Sequence, residues 1–390
     1  MKDNMPNLNE LKQMIRFCEN HAKIYIYGCA SNQEYLLKYF DCCGVKIDGY
    51  ITTYSDDREL IYRDIPKFTL DLADLEDAGI IIGLSDKYYD DVMPRLHKRR
   101  CTDYFLMSEF NKKAIANTMR PRKKDDFGIL VQLAEHCNLN CQMCCTFSPF
   151  AKEEFLDTDI FESDMARLAE LTNKQLRRLF LQGGEPLLNP LIADYTGIAR
   201  RCFPNTPISI FTNGILLANP PSNRAETDFW LSCKETDIEI TVTRYPIDID
   251  YEYIKAKGRQ YDVKVNIFID VNYHESPEKF MFKPALNSHK NASSYEFITC
   301  FFINECNVLK KGTIYGCPIS ANIEHLNRYF NLNHEITEQD CIDIYRANSF
   351  EEIAELSARR VPFCGYCELS NRDYIYPWKL SGKTLNEYFD

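Results

Sequence analysis

Short apolar runs alternate with amphipathic stretches in the first third of the chain. Residues 23–27, KIYIY, have the length and aromatic content of a buried strand, whereas residues 33–40 have helical periodicity. The same reasoning predicts a helix near residues 88–98 and strands at residues 46–51, 79–83 and 103–107. Because strands that alternate with helices pair in parallel, we expect a Rossmann-like domain within residues 1–115.

The alternation returns after residues 116–127, which are polar and charged and are therefore predicted to form a linker. Helical stretches separate most of the next predicted strands, which lie at residues 129–133, 179–182, 208–212, 238–243 and 263–269. Repeated βα units build either a barrel or an open parallel sheet. We assign residues 128–296 to this second domain.

From about residue 297 the pattern changes to a β-hairpin and then to irregular, cysteine-rich chain. The hairpin strands are predicted at residues 307–309 and 313–315, around a turn at residues 310–312. Residues 349–352 have the pattern of a capping box, which predicts that a helix starts there. We expect residues 297–390 to form a third segment that is stabilised by metal.

Composition and charge narrow the classes of function. A chain of 390 residues is longer than one compact core usually requires, so several domains are expected. Its 57 acidic and 46 basic residues give a net charge of −11, which disfavours nucleic acid and anionic membranes as partners. Without an apolar signal-peptide core or a membrane-spanning run, the protein is expected in the cytoplasm. There, 17 cysteines favour metals or catalysis over disulfides.

The main chemical signal is the group Cys137, Cys141 and Cys144, directly after the first strand of the second domain. Three cysteines at this spacing are expected about 0.03 times by chance, and loops after parallel strands often carry active sites. Thiolates select zinc or iron–sulfur clusters, and a four-iron cube with three protein ligands keeps one iron open. Cys145 is an alternative fourth ligand. A helix with a cysteine stripe is the structural alternative, but the asparagines between the cysteines favour a loop.

A second motif follows the next predicted strand and consists of Gly183, Gly184, Glu185 and Pro186. Paired glycines let the main chain approach a ligand closely, and a carboxylate can pair with an ammonium group. Together the two motifs resemble the CxxxCxxC and GGEP segments of the radical S-adenosylmethionine (SAM) superfamily. This resemblance implies an α/β fold with a partial (β/α)6 barrel, a [4Fe–4S] cluster and SAM as cofactors.

The resemblance also implies further contacts to SAM at the ends of later strands. Thr212 and Asn213 belong to a TNG segment at the end of the third barrel strand, although a plain turn would have the same sequence. Thr243 and Arg244 end the next strand, where Arg244 would bind the SAM carboxylate or form a surface salt bridge. Met143 precedes the third cysteine, where the family often has an aromatic residue, and can pack on the adenine.

The third segment resembles the twitch or SPASM extension of radical SAM enzymes. Cys306 and Cys317 flank the predicted hairpin, Cys364 and Cys367 form a CxxC pair, and Cys300 stands at the family's spacing before Gly-x4-Cys. The resemblance implies an auxiliary [4Fe–4S] cluster, for which these five cysteines compete. A single-cluster twitch is favoured over a full SPASM segment, and a zinc knuckle with the same ligands is the alternative.

The first turn of the N-terminal domain departs from GxGxxG after Gly28, so NAD is not expected. Residues 20–110 are similar to small sugar-nucleotide or acyl-binding modules of polysaccharide biosynthesis, and a structural role has equal weight. The βαβ start differs from the peptide-recognition element that often precedes peptide-modifying radical SAM enzymes. This difference favours a small-molecule substrate over a peptide.

The resemblance implies an oxygen-sensitive enzyme that accepts one electron from an external donor such as flavodoxin or ferredoxin. It would cleave SAM to a 5′-deoxyadenosyl radical and abstract hydrogen from a substrate carbon. We expect dehydrogenation or epimerisation of a carbohydrate or nucleotide-linked sugar, with Cys145 or Cys233 returning hydrogen in an epimerase. The alternatives are modification of a peptide or protein side chain, and a non-catalytic iron–sulfur or zinc scaffold.

Overall fold

The chain forms two compact units, each built on its own sheet. The first unit comprises Met1–Arg120, Ser293–Cys300 and Ala358–Arg360, and the second comprises Pro121–Ala292, Phe301–Ser357 and Val361–Asp390. The structure is a computed structural model that describes residues 6–28, 33–54, 65–220, 226–268, 280–281, 283–290, 293–369 and 376–389.

The first unit contains a parallel five-stranded sheet in the order β3-β2-β1-β4-β5. Its strands are β1 (Lys23–Tyr27), β2 (Gly49–Thr52), β3 (Lys67–Thr69), β4 (Ala78–Ile82) and β5 (Tyr104–Leu106). Its helices are α1 (Leu8–Glu19), α2 (Gln33–Cys42), α3 (Tyr89–Lys98) and α4 (Glu109–Met119). The predicted parallel sheet is confirmed.

Three details of the first 126 residues differ from the prediction. The strand expected at residues 46–51 begins at Gly49. The edge strand β3 was not predicted, because its three residues are too few to show an alternation of apolar and polar positions. The end of α4 and a short 3-10 turn at Lys124–Asp126 occupy much of the predicted linker.

The second unit contains an eight-stranded mixed sheet in the order β10-β9-β8-β7-β6-β12-β13-β14. The strands of this sheet are β6 (Gly128–Gln132), β7 (Arg178–Gln182), β8 (Ile208–Thr212), β9 (Glu239–Thr243), β10 (Val265–Phe268), β12 (Asn307–Lys310), β13 (Thr313–Tyr315) and β14 (Cys341–Asp343). In the same unit, β11 (Phe280–Met281) and β15 (Tyr376–Pro377) form a separate antiparallel pair. Its helices are α5 (Thr158–Thr172), α6 (Ile192–Cys202), α7 (Ile215–Ala218), α8 (Glu226–Glu235), α9 (Tyr251–Tyr261), α10 (Pro318–Phe330) and α11 (Phe350–Ser357).

Strands β6 to β10 are parallel neighbours in chain order, and helices lie between successive strands. They correspond to the five strands predicted for the second domain, although residue 269 lies outside the described chain. The α/β class is thus confirmed, and the arrangement agrees with a partial barrel. The apolar side chains of the central strands are fully buried, as at Val131, Leu181 and Ile210.

The predicted hairpin is present and consists of β12 and β13. It does not stand apart from the second domain, because β12 pairs in parallel with β6 and extends the same sheet. The division of the chain at residue 297 therefore remains a prediction. In the described part of the chain, no helix combines the length and the apolar character that crossing a membrane requires.

Candidate active site

The candidate site lies where parallel strands of the second unit end. The cysteine loop follows β6, the Gly183–Pro186 segment follows β7, and Thr212 ends β8. Since the carboxyl ends of parallel neighbours meet at one edge of a sheet, these segments come together. The next strand, β9, brings Thr243 and Tyr245 to the same edge.

The cysteine segment is a loop and not a helix with a cysteine stripe. Cys141 is buried, whereas Cys137 and Cys144 are half-buried. The Leu139 N–H donates to Cys137 Sγ over 3.3 Å. Such N–H donors stabilise negative charge on sulfur. Met143 is buried and has a φ of 58°, so the chain turns sharply just before the third cysteine.

Close packing against neighbouring main-chain atoms requires glycine at the two positions after β7. A Cβ on Gly183 would lie 2.3 Å from the Ala134 carbonyl oxygen, and one on Gly184 would lie 2.0 Å from the His136 carbonyl oxygen. The Gly184 N–H also donates to Ala134 O over 2.7 Å. Glycine is therefore needed because the loop after β7 packs directly against the residues that lead into Cys137. The sequence alone did not reveal this contact.

Glu185 is almost fully buried, at 1% exposure, and its carboxylate joins two loops. It accepts hydrogen bonds from the Leu187 N–H (3.0 Å), the Thr212 hydroxyl (2.7 Å) and the Asn213 N–H (2.8 Å). The expected pairing of Glu185 with the ammonium group of SAM stays a prediction. What the structure shows is that the carboxylate holds the ends of β7 and β8 together.

Asn213 links this carboxylate to the cysteine loop. Its side-chain N–H groups donate to Asn138 Oδ1 over 2.8 Å and to Cys137 Sγ over 3.7 Å. Burial, followed by the Glu185 carboxylate, raises the pKa of the Cys137 thiol. The predicted cofactor residues Glu185, Thr212 and Asn213 thus lie in one network with Cys137.

Tyr245, which sequence reasoning missed, completes the surroundings of the three cysteines. Burial and the neighbouring Cys141, Cys137 and Cys144 thiols raise its pKa well above the usual value, and its hydroxyl hydrogen-bonds with Cys141. A polar aromatic residue two positions after a predicted parallel strand was the available signal.

Residues 378–381, here named the C-terminal strap, lie along the cysteine loop. Cys141 and Leu380 form an antiparallel bridge, and two main-chain bonds flank it: Gln142 N–H to Lys379 O at 2.9 Å, and Ser381 N–H to Asn140 O at 2.8 Å. The Trp378 ring packs edge-on against Tyr245, with centroids 5.7 Å apart. No local signal predicts this pairing, since the partners are separated by more than 200 residues of chain.

Other predicted residues take different positions. Pro186 is buried at the start of a 3-10 turn, and Thr243 is half-buried at the end of β9. Arg244 is exposed, with its guanidinium 5.6 Å from the Tyr251 ring centroid. Cys145 is half-buried in the cysteine loop.

Cys233 is not brought to the cysteine loop. It is fully buried on α8 and lines a cavity of about 460 Å³, whose wall includes Ile208 and Glu239 at the starts of β8 and β9. This cavity therefore lies at the amino ends of the strands, opposite the edge that carries the cysteine loop.

A buried charged network adjoins the cysteine loop and was not predicted. Glu135 accepts from Gln132 (2.8 Å), pairs with Lys310 (2.8 Å) and lies 2.7 Å from His325 Nε2. Burial alone would raise the pKa of Glu135, but His325 and Lys310 outweigh burial and lower it to about 2. Asn322 of α10 joins the network by accepting from both Gln132 and Lys310.

Four of the five predicted auxiliary-site cysteines belong to the second unit, and Cys300 belongs to the first. The hairpin register pairs Val308 with Tyr315, and Cys306 and Cys317 lie two residues before and two residues after this pair. Cys364 and Cys367 lie within and directly after the 3-10 turn Pro362–Tyr366.

A sixth cysteine lies near this group. Cys341 is on β14, which pairs with the hairpin strand β13. Its neighbour Asp340 accepts from the Phe363 N–H over 2.6 Å, and Phe363 directly precedes Cys364. The structure therefore adds Cys341 to the cysteines around the hairpin base.

The donor set around the cysteine loop fits an iron–sulfur cluster. It consists of three neighbouring thiols and of N–H groups directed at Cys137 Sγ. Burial and Glu185 disfavour a free thiolate at Cys137, whereas a bound metal centre deprotonates its thiol ligands. Cys137, Cys141 and Cys144 would hold the cluster.

No protein-family model and no curated protein matches the chain. Similar solved structures include BtrN in complex with AdoMet and 2-DOIA, with a TM-score of 0.39 and 14% identity, covering 66% of this chain and 100% of BtrN. Native anSMEcpe with bound AdoMet has a TM-score of 0.37 and 14% identity, covering 59% and 80% of the two chains.

Streptococcus suis SuiB bound to the precursor peptide SuiA has a TM-score of 0.22 and 12% identity, covering 45% of this chain and 50% of SuiB. Because the overall similarities are low, the evidence for the chemistry of this chain lies in its own site residues.

Proposed function

We propose that this protein is a radical SAM enzyme whose cluster is held by Cys137, Cys141 and Cys144. The observation that carries the proposal is the convergence of these thiols with Glu185 and Asn213 at one edge of the parallel sheet. When bound, the cluster and SAM would supply a 5′-deoxyadenosyl radical. The protein positions the cysteine loop through Asn213 and Gly184, and shields it with Tyr245 and the C-terminal strap.

We propose further that the substrate is a carbohydrate or nucleotide-linked sugar, which is dehydrogenated or epimerised. The parallel sheet of the first unit supports a small-molecule substrate, since it differs from the peptide-recognition element of peptide-modifying relatives. Of the two thiols considered for hydrogen return, Cys145 has the better position because it lies in the cysteine loop. An external one-electron donor such as flavodoxin or ferredoxin would reduce the cluster.

An auxiliary [4Fe–4S] cluster around the hairpin base is part of the proposal. Cys306, Cys317, Cys364 and Cys367, which all lie in the second unit, would hold this cluster, and Cys300 is the competing ligand. With two cubes of four irons each, we expect about eight irons per chain.

Anaerobic reconstitution followed by iron counting and electron paramagnetic resonance tests these assignments. We expect about eight irons in the wild type, about four in the Cys137→Ala/Cys141→Ala/Cys144→Ala variant, and about four in Cys364→Ala/Cys367→Ala. The half-buried helix cysteine variant Cys202→Ala is the matched control and should retain about eight. Adding SAM should change the resonance spectrum only where the first cluster is intact.

Two results would contradict the proposal. Wild-type protein that binds no iron under anaerobic conditions excludes the cluster. Reduced, cluster-loaded protein that never cleaves SAM would instead support a non-catalytic scaffold. Substrate class is tested separately, by measuring which candidate sugars or peptides stimulate formation of 5′-deoxyadenosine.

A further inference from the structure

The first unit contains a cavity of about 440 Å³ at the carboxyl end of β4 and the start of α2, the helix that follows β1. In the order β3-β2-β1-β4-β5, the strands that follow β1 in the chain lie on one side of the β1–β4 pair. The strand that follows β4 lies on the other side. Connections that leave such a pair of strands in opposite directions open a crevice, which is the general ligand position of open parallel sheets. The cavity volume falls within the usual range for small-molecule sites.

The base of this cavity has an unsatisfied acceptor. Gln33, the first residue of α2, is 3% exposed and donates from Nε2 to the Gly83 carbonyl over 3.0 Å. Its Oε1 atom is buried and accepts no hydrogen bond in the described part of the chain. Since buried polar atoms are normally paired, a ligand O–H or N–H group at this position would complete the hydrogen bonding of Gln33.

Glycine allows the strand end and the helix start to come this close. A Cβ on Gly83 would lie 2.5 Å from Gln33 Oε1. Gly28, at the end of β1, has a φ of +113°, and a Cβ there would lie 2.5 Å from a Leu84 methyl carbon. These two glycines therefore allow the Gln33 and Leu84 side chains to pack directly against the ends of the strands.

The lining of the cavity is also cationic. Lys87, Lys113 and Arg120 line the cavity and are exposed. The lining carboxylate of Glu109 is already engaged by Lys112 over 2.7 Å. The remaining positive charge favours an anionic ligand, and exposed lysine and arginine side chains are typical partners of phosphate groups.

The lining also includes aromatic surface. The Tyr35 and Tyr88 rings line the cavity, and the Lys87 ammonium lies 4.8 Å from the Tyr88 ring centroid. From this combination we propose that the first unit binds a phosphorylated, hydroxyl-bearing small molecule of about mononucleotide size in this crevice. The phosphate contacts Lys113 and Arg120, a hydroxyl group donates to Gln33 Oε1, and the flat apolar part packs on tyrosine.

Isothermal titration calorimetry on the full-length, reconstituted protein tests this site. The probes are UDP, ADP, glucose 6-phosphate and inorganic phosphate. We expect saturable binding of a nucleotide or of the sugar phosphate, and the probe that binds distinguishes these two sources. The cysteine variant that lacks the first cluster should bind the same probe equally well, so failure of the radical SAM proposal leaves this result unaffected.

Substitutions in the lining of the cavity test which residues bind the ligand. Lys113→Glu/Arg120→Glu should weaken binding about tenfold or more, as loss of one good ionic contact already changes the affinity by this factor. Gln33→Leu should weaken binding of a hydroxyl-bearing probe, with folding checked by circular dichroism. The control Lys98→Glu reverses an exposed charge on α3 outside the cavity and should leave the affinity unchanged.

Three results would overturn the proposal. The first is the absence of binding by all four probes. The second is inorganic phosphate binding as tightly as the larger probes, because the cavity would then make no use of its size or of Gln33. The third is an equal loss of affinity in the cavity variants and in Lys98→Glu, which would indicate non-specific attraction.

Discussion

At the scale of single residues, the candidate site depends on small groups that hold loops together. Glu185 connects two strand ends by accepting from three donors, and Asn213 carries that connection to Cys137. Because Gly184 has no side chain, the loop after β7 packs directly against the His136 carbonyl group. Each of these residues acts by fixing the position of the cysteine loop.

We predict that Gly184→Ala destabilises the protein and lowers its iron content. The new Cβ would lie 2.0 Å from the His136 carbonyl oxygen and 2.4 Å from its carbon. Since main chain cannot rotate away like a side chain, we expect a loss of about 1–3 kcal/mol or more. Thermal unfolding and iron counting measure the two effects.

Gly197→Ala is the control, because its Cβ would meet only the Arg201 guanidinium at 3.5 Å. In a helix this change should be neutral or stabilising by up to about 1 kcal/mol. Equal behaviour of the two variants would show that the close approach at Gly184 is unimportant.

Glu239 provides a pH-dependent prediction away from the cysteines. Its carboxylate accepts from Arg178 (2.7 Å), Ser209 (2.6 Å) and Lys264 (2.8 Å). Burial alone would raise its pKa, but these partners outweigh burial and lower it below 4.5. The stabilisation is therefore present above pH 4.5 and is lost as the pH falls toward the folded-state pKa.

Accordingly, Glu239→Gln should be less stable than the wild type at pH 7, and the difference should shrink on acidification. Urea unfolding of both proteins at several pH values measures the difference in their free energies of unfolding. Glu235→Gln, at an exposed position of α8, controls for the loss of one negative charge. A stability difference between Glu239→Gln and wild type that is independent of pH would contradict the assigned pairing.

At the scale of elements, the C-terminal strap is a short extended segment that protects a long loop. Its bonds to the cysteine loop are main-chain bonds on both sides of the Cys141–Leu380 bridge. Farther along the chain, Tyr388 is fully buried and packs on Phe147 and Phe150. The C-terminal segment therefore belongs to the same core as the cysteine loop.

Ser381→Pro tests the strap, because proline removes the N–H that donates to Asn140. We expect faster loss of iron to a chelator or to air than in the wild type. Ser381→Ala is the matched variant, since it also lacks the hydroxyl that donates to Glu387 but keeps the N–H. If both variants lose iron at the same rate, the main-chain bond does not protect the cluster.

At the scale of the whole molecule, the second unit is unified by a sheet that continues from the parallel strands into the hairpin. The buried network ties this junction together, because Glu135 follows β6, Lys310 ends β12 and His325 belongs to α10. Hairpin and parallel strands therefore share both hydrogen bonds and buried charges.

We predict that Lys310→Met is severely destabilising, by about 3–5 kcal/mol, because it leaves the Glu135 carboxylate buried without its main counter-charge. Glu135→Gln/Lys310→Met should recover part of this loss, since it buries no charge. Equilibrium unfolding of both single variants and the double variant forms the cycle. Strictly additive effects would show that the pair is not coupled.

Much of the fold followed from local patterns. The strands β1, β4 and β6 to β9, the hairpin, and the position of the cysteine loop after β6 were predicted, because apolar periodicity and residue spacing act within a few residues. The edge strand β3 was too short to show a pattern. The pairing of β12 with β6 depends on segments nearly 180 residues apart, which periodicity does not relate.

By itself, the sequence determined which thiols follow the first strand of the parallel sheet, and hence which chemistry to expect there. Only the tertiary structure decided what surrounds them: the three donors to Glu185, the hydroxyl of Tyr245, the C-terminal strap and the Glu135–Lys310 pair. The physical reason is the range of the interactions. Spacing and capping are local properties of the chain, whereas these contacts arise from packing between residues that are distant in sequence.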